Sequence, residues 1–192
     1  MWGRDKEDFL AWVRGLPENR RLAVGLLYLS GLRRSEACGL RYQDLQQEGA
    51  YLRMAVTETE DSVHVRPRLK TDDSAAWIPL PPELLEWIGT GEGFVLTGRK
   101  EPMKPRSLTQ LVRRTVKGTR WASVTPQALR RGFGQAVWEA TGDPKLTASM
   151  MRHSLAMTDK EYVQVDRGIK ARTHDLVFGN RAKTVPHAGG GA

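Results

Sequence analysis

Cysteine is nearly absent from this 192-residue chain, in which Cys38 stands alone. One thiol excludes an intramolecular disulfide and any cysteine-rich zinc site, and it fits a reducing cytoplasm. Cys38 lies in an apolar helical stretch, where it reads as a small core residue rather than a nucleophile. Long hydrophobic runs are lacking too. None approaches the roughly 20 residues that a membrane-spanning helix needs, so no membrane partner is expected. The opening Met-Trp-Gly-Arg-Asp-Lys-Glu is too polar for a signal peptide. No carboxylate pair or His/Asp cluster has the spacing of metal ligands, which argues against a metal-dependent nuclease. No segment repeats. What the chain has in excess is positive charge: Lys and Arg total 30 against 22 Asp and Glu, a net +8, with a pI near 9.9. That balance points to a polyanionic partner, of which nucleic acid is the commonest.

The length suits one compact domain with a proper core. Phe9, Trp12, Val13 and Leu16 recur at helical spacing and predict an amphipathic helix ended by Gly15-Leu16-Pro17. A second helix, from about Glu18 to Ser30, is almost wholly apolar after Leu22 and should be buried; Gly31 stops it, and a shorter helix begins near Arg33. From Ala50 to Leu80 the pattern changes to alternation in Ala50–Val56 and Val63–Arg66, followed by Trp77–Leu80, with a turn at Thr71–Ser74. This predicts a small antiparallel sheet of about three strands. Further helices start at Pro81-Pro82, around Leu108, at Thr125-Pro126 and at Asp143-Pro144, the last two with a capping residue before the proline. Short helices are expected at 158–165 and 169–178, and residues 181–192 are expected to be a disordered tail. The expected fold class is α+β, mainly α: a helical bundle with a small three-stranded antiparallel sheet.

Three motifs carry chemistry. They are Gly31-Leu32-Arg33-Arg34-Ser35-Glu36 with Leu40, then Leu129-Arg130-Arg131, then His153 with Tyr162 nine residues on. Transfer of a phosphodiester without a metal needs a nucleophile, an acid for the leaving oxygen and cations on the non-bridging oxygens. Tyrosine can attack, because its aryl ester stores the phosphodiester energy for religation. Arginine binds phosphate with a two-pronged fork and keeps its charge. Lysine can surrender a proton.

In order and spacing these residues resemble the tyrosine recombinase (phage integrase) family, over about Asp8 to Val165. The resemblance implies a catalytic domain over 1–180 that exchanges DNA strands at specific sites through a 3′-phosphotyrosyl link. It implies double-stranded DNA as partner, assembly as a tetramer on that DNA, and no cofactor or metal. Arg33 matches the first catalytic arginine, Lys70 the hairpin lysine that protonates the departing 5′-hydroxyl, and Arg130 the second arginine. His153 matches the residue that hydrogen-bonds the scissile phosphate, and Tyr162 the nucleophile. Two positions depart from the pattern. Gln127 stands where the family usually has a histidine, and a glutamine can donate to a phosphate oxygen but cannot titrate near neutrality. The family's Leu-Gly-His is altered to Met151-Arg152-His153, which adds a cation. The reading favours slowed but retained activity. Arg34, Arg66, Arg68, Arg131 and Arg152 are expected on the DNA backbone.

Each residue alone has a plainer reading. Arg33 would be a surface arginine, Tyr162 a packing residue, and Lys70 one of a row of hairpin cations with Arg66 and Arg68. Glu36 reads as an ion-pair partner for a nearby arginine. It is Arg130, His153 and Tyr162 at intervals of 23 and 9 residues, together with Arg33, that make chance a poor explanation. His64, His174 and His187 have no matching partners and no assigned role. The family's N-terminal core-binding domain is expected to be absent, since the first helix starts within ten residues of Met1. Two competing functions share many of these residues: a type IB topoisomerase-like enzyme, and a catalytically impaired DNA-binding or regulatory relative.

Overall fold

The structure, a computed structural model, describes residues 2–59, 62–66 and 77–152. Helices α1 (Trp2–Arg14) and α2 (Glu18–Ser30) open it. The α1 stripe works as its spacing suggests, with Phe9 and Val13 fully buried. α2 is the central element. Its Ala23, Val24, Leu26 and Leu27 are buried, and it packs against α4 (Pro82–Ile88), α5 (Pro105–Val116) and α6 (Pro126–Thr141). A helix enclosed on several sides must be apolar on several sides, which explains its composition. The Phe9 ring stands edge-on to Tyr28 and to Trp121, each centroid 5.0 Å away, an arrangement that aromatic quadrupoles favour. Burial, with the Glu139 charge, pushes the Tyr28 hydroxyl up to about 12. It stays protonated and is no nucleophile.

α2 ends at Gly31, whose left-handed φ of 61° turns the chain into α3 (Arg34–Gly39). An added Cβ there would collide with the Phe133 ring of α6. Replacing Gly31 with alanine combines left-handed strain of about 1–2 kcal/mol with overpacking of about 1–3 kcal/mol. The expected loss of stability is about 3 kcal/mol, read by urea unfolding at neutral pH. A loss below about 1 kcal/mol would mean that the junction yields more easily than its packing suggests. Cys38, on α3, is fully buried; burial, with a smaller contribution from Glu58, pushes its thiol up to about 12 against the pull of Arg34, which keeps it a packing residue.

The strands divide differently from the simple alternation. β1 (Leu45–Gln46), β2 (Gly49–Tyr51) and β5 (Trp77–Pro79) form a three-stranded antiparallel sheet in the order β1-β2-β5. β3 (Ala55–Glu58) and β4 (Val63–Arg66) form a separate hairpin with Val56 opposite Val65. The expected strand at 50–56 is thus two strands in two sheets. The reason is packing on α3. Gly39 leaves room for the Met54 carbonyl to come close, and β3 leaves the sheet to lie against α3. α6 and α7 (Pro144–Met151) start as their caps predict. The Thr125 hydroxyl accepts from the Ala128 N–H at 3.1 Å, and Asp143 Oδ1 accepts from the N–H groups of Lys145 and Leu146 at 2.7 and 3.1 Å. Trp138, Met151 and Phe133 then clip α7 onto α6. The architecture is mainly helical with small antiparallel sheets. No described helix is long and apolar enough to cross a membrane.

Candidate active site

Gly31 places Arg33 at the N-terminal boundary of α3, in extended conformation. Glu36, one turn on, closes that boundary. Its Oε2 accepts from the Arg33 backbone N–H at 2.7 Å, and its Oε1 accepts from Arg33 Nη1 at 2.7 Å. α6 delivers the second arginine to the same place. Arg130 is 7% exposed; its Nη1 donates to the Gly31 carbonyl and its Nη2 to the Met151 carbonyl. The end of α7 supplies a third cation. Arg152 donates from Nη2 to Glu36 Oε2 at 2.7 Å and to the Gly31 carbonyl at 3.2 Å, and from Nη1 to the Met150 carbonyl at 3.3 Å. The Arg152 carbonyl in turn accepts from Arg33 Nη2 at 2.8 Å.

Three guanidiniums therefore surround one carboxylate, leaving two positive charges in excess within this group. Burial alone would push the Glu36 carboxyl up. Arg152, the Arg33 backbone N–H, and the Arg33 and Arg130 charges outweigh it and hold the carboxyl below its usual range. Glu36 therefore stays ionised at neutral pH. The Arg33 side chain is 41% exposed, against 8% for Arg130 and 4% for Arg152. Among these three arginines, the excess charge is thus most open to solvent at Arg33. Such a group holds an anion by charge and by directed donors, with little reorganisation on binding.

The other expected residues fall into three groups. Gln127 is exposed on the first turn of α6, one turn before Arg130, and Arg131 is exposed beside it. Arg34 is exposed, and its Nη1 donates to Thr109 Oγ1 of α5 at 2.9 Å; Arg66 is exposed at the end of β4. Arg152, expected on the DNA backbone with the other arginines, has a side chain only 4% exposed, because Glu36 and two carbonyls draw its guanidinium inward. Lys70, Arg68, His153 and Tyr162 lie outside the described residues, as do the expected helices at 158–165 and 169–178 and the tail. What sequence reading did not supply is the role of the backbone: the carbonyls of Gly31, Met151 and Arg152 aim the arginines, and a carbonyl leaves no mark in residue type.

α5, which packs against α3, carries a basic face. α5 contains no acidic residue, and its Arg106, Gln110, Arg113 and the following Lys117 recur at helical spacing, all exposed. Leu108, Val112 and Val116 occupy the opposite, buried face. Three cations on one exposed face, interrupted only by the neutral Gln110 and with no carboxylate among them, suit a phosphate backbone.

Residues 5–168 match the model of the phage integrase family. Among its relatives, the tyrosine recombinase XerC of Nitrobacter winogradskyi is 30% identical over 173 residues, covering 85% of this chain and 49% of the relative. XerC of a Mycobacterium species (strain KMS) is 27% identical over 158 residues, covering 81% and 52%. The chain spans about half the length of these relatives. Among solved structures, the Tn1549 transposon integrase in complex with transposon right end DNA is similar with a TM-score of 0.67 at 21% identity, over 93% of this chain and 65% of that one. XerA recombinase is similar with a TM-score of 0.66 at 14% identity, over 93% and 62%. The last two likenesses concern the fold.

Proposed function

The chain belongs to the phage integrase family, and on that premise we propose that it is the catalytic domain, over residues 1–180, of a site-specific DNA recombinase. The observation that carries the reading is the excess of two guanidinium charges gathered around Glu36 and open at Arg33. In this reading Arg33 and Arg130 take the non-bridging oxygens of one DNA phosphate. Tyr162 gives up its phenolic proton to solvent and attacks phosphorus, and the bond to the 5′ oxygen breaks. Lys70 gives that oxygen its proton, and His153 hydrogen-bonds the phosphate. A second strand's 5′-hydroxyl then attacks the phosphotyrosyl link and releases Tyr162. The arginines supply the positive charge, so the step needs no metal. The exposed face of α5, with Arg34, Arg66, Arg68 and Arg131, follows the DNA backbone. A tetramer on DNA, acting in the cytoplasm, completes the reading.

Gln127 sets the rate. Positioned acid–base groups contribute about 10²–10⁴-fold, so a neutral amide at that position makes the cleavage slow. The test is covalent trapping on nicked duplexes drawn from DNA flanking the gene. An adduct mapped to Tyr162 by mass spectrometry is expected, formed about 10²-fold faster in Gln127→His. No adduct from either protein, with DNA still bound, would replace this reading with that of a DNA-binding relative.

A further inference from the structure

We propose that Tyr51 and Trp77 form a stacking platform for unpaired DNA bases, those of the strand that departs with the 5′-hydroxyl. The site deepens the proposed function and rests on it.

The platform follows from the strand register. Tyr51 of β2 stands directly opposite Trp77 of β5, and Gly49 stands between Gln46 and Pro79. Opposed residues share a face of the sheet, so Gln46, Gly49, Tyr51, Trp77 and Pro79 line one side. None of the five is charged. Ala50 and Ile78 point the other way and are buried in the core, whereas Tyr51 and Trp77 are 42% and 43% exposed. An added Cβ at Gly49 would lie 2.8 Å from the Trp77 ring. The missing side chain thus gives the indole a seat on the sheet, and the rest of the ring meets solvent. A cross-strand aromatic pair steadies a sheet, but that role does not require both rings to stay open to water. Two adjoining open rings are the kind of surface that a ligand covers.

The chemistry selects unpaired bases. Paired bases offer a protein their edges in the grooves; an unpaired base also offers a π-face, which stacks on Tyr or Trp whatever its sequence. Such platforms combine aromatic rings with cations for the backbone. Here Arg53 follows Tyr51 by two residues, with a side chain that is 64% exposed. Its Nε lies 3.5 Å from Asp44 Oδ1, and Arg41 already donates to both oxygens of that carboxylate at 3.1 Å. Two guanidiniums on one carboxylate leave one positive charge in excess. The place in the chain fits as well. Trp77 follows Lys70, the proposed acid for the 5′ oxygen, by seven residues, a reach of at most about 25 Å. At about 3.4 Å per nucleotide, the freed strand can meet the platform within about seven bases of the cut. A strand that is to join a second duplex must first give up its own pairing, and stacking replaces part of what its bases lose.

The experiment measures the full chain against two single strands of equal length and charge, an oligothymidine and its counterpart with an abasic spacer at every position. The oligothymidine should bind about tenfold tighter, with the same salt slope. Trp77→Leu keeps an apolar cover on Gly49 but removes the π-face, and it should lose most of that preference. Tyr51→Leu should lose part of it, and Trp77→Phe should keep it. Affinity for intact duplex should be unchanged in all three. In wild type, a strand bearing 5-iodouracil should cross-link under long-wavelength light to Tyr51 or Trp77, as mapped by mass spectrometry, a result that needs no variant to fold. Equal affinity for the two strands, or cross-links confined to other residues, would overturn the proposal. Self-association that Trp77→Leu abolishes, with no preference for bases, would make this face a contact between copies instead. Neither readout needs cleavage, so the two failures differ: a missing Tyr162 adduct counts against the recombinase reading, a missing base preference against the platform.

Discussion

Lysine in place of Arg130 should slow adduct formation about 10³-fold while leaving the domain folded and DNA bound. The guanidinium does two jobs that an ammonium cannot combine. Its two terminal nitrogens reach the carbonyls of Gly31 and Met151, at the ends of α2 and α7, and in the proposed reading its charge serves the phosphate while Nη1 lies 3.8 Å from Glu36 Oε2. A lysine presents one nitrogen, so it can hold one helix end or face the phosphate, but not in the same geometry. Loss of a single oriented donor to a developing oxyanion costs about 10²–10³-fold, and arginines that stabilise transferring phosphoryl groups contribute about 10³–10⁵-fold. The two ranges meet near 10³. Affinity should fall only a few-fold, because the exposed cations of α5, Arg34 and Arg131 remain. Single-turnover trapping at saturating duplex checks the rate, and a rate within about tenfold of wild type would show that Arg130 is not held for the phosphate.

The largest effect on stability is expected from Glu36→Ala. Removing this carboxylate leaves the buried Arg130 and Arg152 without their shared anion and deletes the acceptor for the Arg33 N–H. Breaking a buried pair from one side costs about 3–5 kcal/mol, which for a domain of this size lowers Tm by about 10 °C. Glu36→Gln should lose less, since an amide oxygen still accepts. The pH dependence follows from the direction of the shift. The Glu36 carboxyl is held below its usual range, so its contribution is complete above the unfolded carboxylate value, about 4.3. It is lost as pH falls below that value and through the lower, folded one. Urea melts at pH 7 and pH 3 should therefore show a larger drop for wild type than for Glu36→Gln. Equal drops would mean that Glu36 is not the group whose protonation weakens the acid state.

Local signals carried most of the helical framework into view. Thr125-Pro126 and Asp143-Pro144 name their helix starts because capping involves only the next few residues. Gly31 marks the end of α2 because a left-handed φ favours glycine. Alternation over Ala50–Val56 reports which side chains face which way, but not which strand lies alongside. It could not show that Ala50 pairs with Ile78 while Val56 pairs with Val65. Leu45–Gln46 is too short to carry a period. In the site, Arg33, Arg130 and the ion-pair role of Glu36 were legible from the motifs. The burial of Arg152 was not, because its partner Glu36 is 116 residues away and a lone arginine after a helix reads as solvated.

The same separations govern when the site comes into being. Arg130 is anchored on a residue 99 positions earlier, and Arg33 and Arg152 reach across 119 and 121 positions. Contacts of such sequence separation form late, after their loop-closure entropy has been met by core packing. A chain still emerging from the ribosome, or one cut between α3 and α6, can build individual helices but cannot gather these guanidiniums. The three guanidiniums are therefore gathered around Glu36 only when the domain has closed, so a partly folded molecule lacks the proposed anion site.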